Sequence, residues 1–241
     1  MKIGPRLSRL VLALALGCTA LGTFAAEPDQ FSDAEKLVFT DPQLANLKEP
    51  TSLRYSFIKS GSLEPGFEDE VRIDVDAEHK VQGRFLTGPR NFPLPEVEHA
   101  DANPVILYFL ERDITDMKRR TTAKSQNYFR NKIRMAMAEA AEIKDTRVTY
   151  AGKELPAREV TVLPYAKDPN RVRYQRLADK RYTIVLAKDV PGGVYQLRSS
   201  LPGALPTDAP VMEEVLTLTG AETGKAAVAA SSPTKQPSTS R

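Results

Sequence analysis

Residues 103–142, NPVILYFLERDITDMKRRTTAKSQNYFRNKIRMAMAEAAE, decide how this chain is read: their apolar residues recur at helical spacing, while both flanks alternate like strands. Asn103 is a good N-cap, and Pro104 follows where a missing N–H costs nothing and the fixed φ is already helical. Ile106, Leu110, Ile114 and Met117 then recur at steps of four, four and three, with Phe109 alongside, which puts an apolar stripe on a helix of about four turns. After the link Thr121–Ser125, Phe129, Ile133, Ala136, Ala140 and Ile143 repeat the pattern. A strand template also fits part of this segment, because Phe129, Ile133, Met135 and Met137 fall on one side of an alternation. The run from Met135 to Glu142 is rich in helix formers and lacks β-branched residues, so the helix is preferred.

Charge within this stretch is one-sided. From Lys118 to Arg134 there are seven basic residues (Lys118, Arg119, Arg120, Lys124, Arg130, Lys132, Arg134) and no acidic one. The rest of the chain does not share that bias. Lys2, Arg6 and Arg9 precede an apolar run from Leu10, and Thr23-Phe24-Ala25 offers small residues at the −3 and −1 positions, so residues 1–25 read as a secretory signal peptide. The apolar run is too short for a comfortable membrane span, which needs about 20 residues. Without Lys2, Arg6 and Arg9, the remaining basic residues equal the 31 acidic ones, and the mature charge is zero. No face-wide positive excess is left to support nucleic-acid binding.

The only cysteine, Cys18, lies inside the leader, so the mature chain is expected to have no thiol, disulfide or cysteine metal ligand. Ala15-Leu16-Gly17-Cys18 also resembles a lipobox, but Leu16 stands where that motif has a small residue, and the residues after Cys18 stay apolar. A periplasmic, non-lipidated protein is the expectation.

After the leader, Ser32 and Glu35 make a capping box for a short helix, and Asp41-Pro42 begins another turn carrying Leu44 and Leu47. Leu53, Tyr55, Phe57, then Val71, Ile73, Val75, then Val81, Gly83, Phe85 alternate as three strands. Residues 88–102 hold Pro89, Pro93 and Pro95, which deny ladder hydrogen bonds, so this loop should run over the surface or across a sheet edge. Beyond Asp145, strands return around Val148 and Tyr150, around Val160 and Val162, and at Tyr182, Ile184 and Leu186. A turn at Val190–Val194 leads to Tyr195 and Leu197, and Val215, Leu216 and Leu218 form a last strand. A short helix after Asp168-Pro169 interrupts the series. Residues 220–241 are small and polar with almost nothing to bury, so they are read as a disordered tail after a single domain spanning 26–219.

The usual catalytic signatures are missing. His79 and His99 sit in loop-like sequence without a second ligand at metal-binding spacing, and there is no nucleophile elbow, zincin, Walker or dinucleotide motif. Asp74, Asp76 and Glu78 alternate as the wet face of a strand does, without the glycine turn and distal glutamate of a calcium loop. Glu111, Asp113 and Asp116 could do acid–base work, but Arg112 with Asp116 and Asp116 with Arg120 are spaced as ordinary surface pairs. On a helix, Arg130 and Arg134 stand one turn apart and can converge on one anion, with Arg119, Arg120 and Lys124 nearby if the helices form a hairpin; arginine forks suit phosphate or carboxylate.

At Asn-Pro-Val-Ile-Leu-Tyr-Phe-Leu-Glu-Arg-Asp (103–113) and Tyr-Phe-Arg-Asn-Lys-Ile-Arg (128–134) the chain resembles a group of proteobacterial secreted proteins, a resemblance that implies no activity. In architecture and compartment it is similar to the LolA-type periplasmic carriers of lipoprotein acyl chains, whose open half-barrel wraps around helices; no binding residue carries over. The fold expected is α+β, a curved antiparallel sheet packed against the helical pair. The leading function is non-enzymatic binding, without cofactor or metal, of a hydrophobic or amphiphilic ligand or an envelope protein, through Arg119, Arg120, Lys124, Arg130 and Arg134. The alternatives are an enzyme using carboxylates such as Glu111 and Asp113, and a scaffold subunit of an envelope complex.

Overall fold

Residues 31–121, 125–205 and 207–224 are described by a computed structural model. The leader with Cys18, Lys124, and residues 225–241 of the expected tail lie outside them. The Ser32 capping box forms as expected and starts α1 (Asp33–Glu35), which runs on into a wide turn over Lys36–Thr40. The alternation that begins at Leu53 produces β1 (Thr51–Ser60), followed by β2 (Phe67–Val75) and β3 (Val81–Phe85) in an antiparallel meander. The helical pair comes next, α2 (Val105–Arg120) and α3 (Gln126–Glu139), and then β4 (Glu142–Tyr150) and β5 (Lys153–Val162). After α4 (Arg171–Tyr174) come β6 (Arg181–Leu186), β7 (Val194–Leu201) and β8 (Met212–Thr223).

The eight strands form one antiparallel sheet in the order β3-β2-β1-β8-β7-β6-β5-β4. The α2–α3 pair therefore leaves one edge strand, β3, and delivers the chain to the opposite edge strand, β4. The sheet curls strongly. Tyr195 on β7 donates to the carbonyl of Thr149 on β4 at 3.2 Å, although β4 lies three strands away, roughly 14 Å across a flat sheet. The result is a sheet curved against helices, α+β, with two edges that do not meet.

The Pro-rich loop covers one edge, as its prolines suggest. Val97 bridges to Val81 and Phe92 to Phe85 outside the regular strands. Gly83 makes this possible, because a Cβ there would stand 2.8 Å from Leu94 and 3.1 Å from Tyr108.

Asn103 ties α2 to the sheet. Its Oδ1 accepts from the amide of Val105, and its Nδ2 donates to the carbonyl of Gly192 at 2.9 Å and to Tyr55 Oη at 3.2 Å. The apolar stripe of α2 is wholly inward, with Ile106, Phe109, Leu110, Ile114 and Met117 all buried, and Phe129, Ile133 and Met137 of α3 join the same core. Phe129 sits edge-on to Tyr165 and Tyr128 and tilted against Tyr174, with centroids 5.6–5.8 Å away.

Two boundaries differ from the sequence reading. Ile143, placed on the second helix, begins β4 instead: α3 stops at Glu139, and Ile143 pairs with Val160. Pairing with β5 also packs the Ile143 side chain against the core. The tail was expected from Gly220, yet residues 220–223 continue β8, with Glu222 opposite Ser52 and Thr223 opposite Thr51. Pairing with a central strand compensates for the lack of apolar side chains, aided by an exposed Arg54–Glu222 ion pair at 2.7 Å.

Candidate functional site

The inner side of α2 carries a carboxylate where its stripe predicts an apolar residue. Asp113 falls between Leu110 and Met117 on the buried face and is 1% exposed. Beneath it, Tyr182 of β6 and Ser199 of β7 are directly paired across the sheet, so their hydroxyls rise side by side. Tyr182 donates to Asp113 Oδ2 at 2.5 Å, Ser199 donates to Oδ1 at 3.3 Å, and the ammonium of Lys180, just before β6, also binds Oδ1. Lys180 is 0% exposed. Burial, and then the Asp113 charge, push the Tyr182 hydroxyl well above its ordinary pKa, and Tyr165, whose hydroxyl lies 3.4 Å from that of Tyr182, is raised for the same reasons. Both phenols therefore stay protonated donors.

A second polar chain runs beside the first. Lys59 of β1 and Glu214 of β8 are cross-strand partners whose charged groups lie 3.4 Å apart. Arg112 of α2 donates to Glu214 at 2.6 Å while its guanidinium lies over the ring of Phe57. Lys59 also binds Glu64 at 2.6 Å, Glu64 pairs with Arg120, and Arg120 with Asp116. The hydrogen bond from Lys59 holds the Glu64 carboxyl below its usual value. Burial alone would raise Asp116, but the hydrogen bonds from Arg120 and Arg119 outweigh it and lower its pKa. Asp116 thus pairs with Arg120 as the i, i+4 spacing suggested, whereas Arg112 turns to the sheet.

The basic cluster is largely neutralised by these partners. Arg130 is clamped by Glu111 through two bonds of 2.5 and 2.6 Å and donates to Asn127 at 2.5 Å. Helix α2 thus supplies a carboxylate to Arg130, one turn before Arg134. Arg119 is exposed and paired with Asp116 at 2.5 Å, and Arg120 is mostly buried in the network. Lys132 pairs with Asp168 at 3.5 Å. Arg134 is exposed and makes no ion pair among the described residues. The hairpin is real: Gln126 donates to Thr115 at 2.9 Å and Arg130 reaches Glu111, so helical spacing sets Leu107 level with Arg134. Leu107 is 52% exposed.

Glu111 and Asp113 do not form a carboxylate pair, since one points out to Arg130 and the other in to Lys180. Among the described residues no group of His, Cys, Asp and Glu could hold a metal ion. No described helix is long and apolar enough to cross a membrane.

Sequence reasoning passed over Lys180, Tyr182, Ser199, Lys59 and Glu214. The signal was present. Lys59 continues the inward alternation of Leu53, Tyr55 and Phe57, and Glu214 stands between the inward Met212 and Leu216, so each is a charge at a core position.

No protein-family model and no curated protein matches the chain. Among solved structures it is similar to the lipoprotein LppX of Mycobacterium tuberculosis, at 10% identity and a TM-score of 0.34, over 78% of this chain and 94% of that one. It is also similar to a LolA superfamily protein from Nitrosomonas europaea, at 8% identity and a TM-score of 0.25, over 79% and 93%.

Proposed function

We propose that this chain is an exported, periplasmic protein that holds a hydrophobic or amphiphilic ligand between the inner face of its curved sheet and the α2–α3 pair. One observation carries the reading: the sheet curls without closing, and its apolar interior is walled by a helical hairpin attached to the two opposite edge strands. Such a wall can shift on its two connections while every strand keeps its neighbours. An alkyl chain can then replace helix side chains against the sheet with little net change in buried apolar area. Export rests on the leader pattern of residues 1–25.

Arg119, Arg130 and Arg134, all exposed, sit at the rim in this reading. Arg134 is the leading rim contact for the acidic surface of an envelope partner, because Arg119 and Arg120 are taken up by Asp116 and Glu64, and Arg130 by Glu111. Protein purified without detergent and extracted with organic solvent tests the reading by mass spectrometry. The expected result is a co-purified amphiphile at a fixed ratio to protein; a clean extract, together with no uptake of added dodecanoate or dodecanol, would reject it.

A further inference from the structure

We infer that Lys180, Tyr182 and Ser199 form a binding site for the acidic head group of a single-chain amphiphile, and that Asp113 of α2 occupies this site as a built-in competitor. The inference rests on the ligand-binding reading above and names the ligand class. Its basis is the donor set. One ammonium and two hydroxyls converge on a carboxylate from three positions on the sheet: Lys180 before β6, Tyr182 on β6, and Ser199 opposite it on β7. All three are at most 1% exposed; the Tyr165 hydroxyl lies 3.4 Å from that of Tyr182, and the buried Glu214, held by Lys59 and Arg112, pairs with Ser199 on the next strand. A cation and two hydroxyls on the floor of a largely apolar interior, beside a Glu214 carboxylate already neutralised by Lys59 and Arg112, are the donors that a fatty acid or alkyl phosphate needs at its head.

The sheet owns the site, and the helix supplies only the anion. Asp113 is the one group of α2 in this cluster, so movement of the helical wall removes the carboxylate and leaves the donors in place. A ligand that brings its own anion keeps Lys180 satisfied during that exchange. A neutral alkyl chain would leave the lysine buried and unpaired, which is costly. Selectivity for acidic amphiphiles follows from the same argument, and Asp113 acts as a tethered rival at high effective concentration.

The test compares dodecanoate, dodecyl phosphate and 1-dodecanol, each measured by displacement of an uncharged fluorescent alkyl probe from the full chain. Asp113→Asn keeps the shape and removes the competing charge. It should tighten dodecanoate or dodecyl phosphate by roughly tenfold while leaving 1-dodecanol within about twofold. Whichever anion gains more identifies the head group as carboxylate or phosphate. Equal changes for the anions and the alcohol, or none, would overturn the inference.

The combined Asp113→Leu, Lys180→Met variant removes both charges and decides the matter if Asp113→Asn fails to fold. It should bind 1-dodecanol and lose the preference for the anions; a preference that persists overturns the site. If the wild-type chain and both variants bind none of the three, the ligand-binding reading itself has failed and the inference falls with it. Binding of the alcohol without any anion preference rejects only the site.

Discussion

Truncating Asp113 to alanine should be among the most damaging single changes in the chain. The substitution leaves the Lys180 ammonium, 0% exposed, without its counter-charge, and takes the acceptor from Tyr182 and Ser199. Breaking a buried pair from one side costs about 3–5 kcal/mol. At this size each kcal/mol moves the midpoint by about 2–4 °C, so Tm should fall by about 6–20 °C. Replacing both charges, Asp113→Leu with Lys180→Met, leaves no unpaired charge, only the Tyr182 and Ser199 hydroxyls without their acceptor, and should recover most of that loss. Urea unfolding followed by far-UV circular dichroism, with a shared m-value, of the wild type, Asp113→Leu, Lys180→Met and the double variant completes the cycle, and a coupling of about 3 kcal/mol is expected. An Asp113→Ala cost below about 1 kcal/mol, the range of an exposed pair, would refute the buried clasp between α2 and the sheet.

Other perturbations separate rim, core and pH effects. Arg130→Gln with Arg134→Gln should change stability by no more than about 1 kcal/mol, because both side chains are exposed, while weakening attachment to vesicles of anionic phospholipid; unchanged attachment would reduce the rim cluster to a solvated face. Phe129→Ala should cost about 3–5 kcal/mol by calorimetry or urea unfolding, since the ring is fully buried among three tyrosines. Asp69 is buried against the loop, which alone would raise its pKa, but hydrogen bonds from Arg90, from the Glu70 amide and from Thr87 lower it to about 2. A carboxyl depressed on folding adds stability above its unfolded pKa of about 4 that is lost as pH falls toward 2, so Asp69→Asn should flatten the acid limb of the stability curve in that window. Gly192→Ala should destabilise through both its φ of 71° and a Cβ only 2.5 Å from Leu53, with thermal melting as the readout.

Periodicity made the secondary structure legible because burial on one face enforces it. The steps of three and four through Ile106 and Met117 mark α2, and the alternation through Leu53 and Phe57 marks β1, in both cases because those side chains pack inward. Ends were harder. Ile143 continues the helical spacing of Ile133 and Ala140, yet the partner strand β5, distant in sequence, claims it. Residues 220–223 carry little to bury and are held by β1, a strand some 170 positions earlier, which no local pattern reveals.

The site was only half visible for a related reason. A run of like charge such as Lys118–Arg134 stands out locally, whereas its partners, Glu64, Glu111 and Asp116, either precede it or lie on another element. The Asp113 cluster draws on α2, β6 and β7, and its members look ordinary until the register sets Tyr182 against Ser199. What could have been noticed is the charge at core spacing, at Asp113 within its stripe and at Lys59 and Glu214 within their strands.

The location of the ligand is the central claim, and the absence of tryptophan from the chain makes it directly measurable. Phe109, buried on the sheet-facing side of α2, can be replaced by tryptophan as the sole emitter of its kind. Titration with a brominated fatty acid should quench that emission and saturate at one ligand per chain, with an uncharged, unbrominated alkyl competitor restoring it. Binding of the fatty acid that leaves the tryptophan unquenched would place the ligand elsewhere and contradict the account.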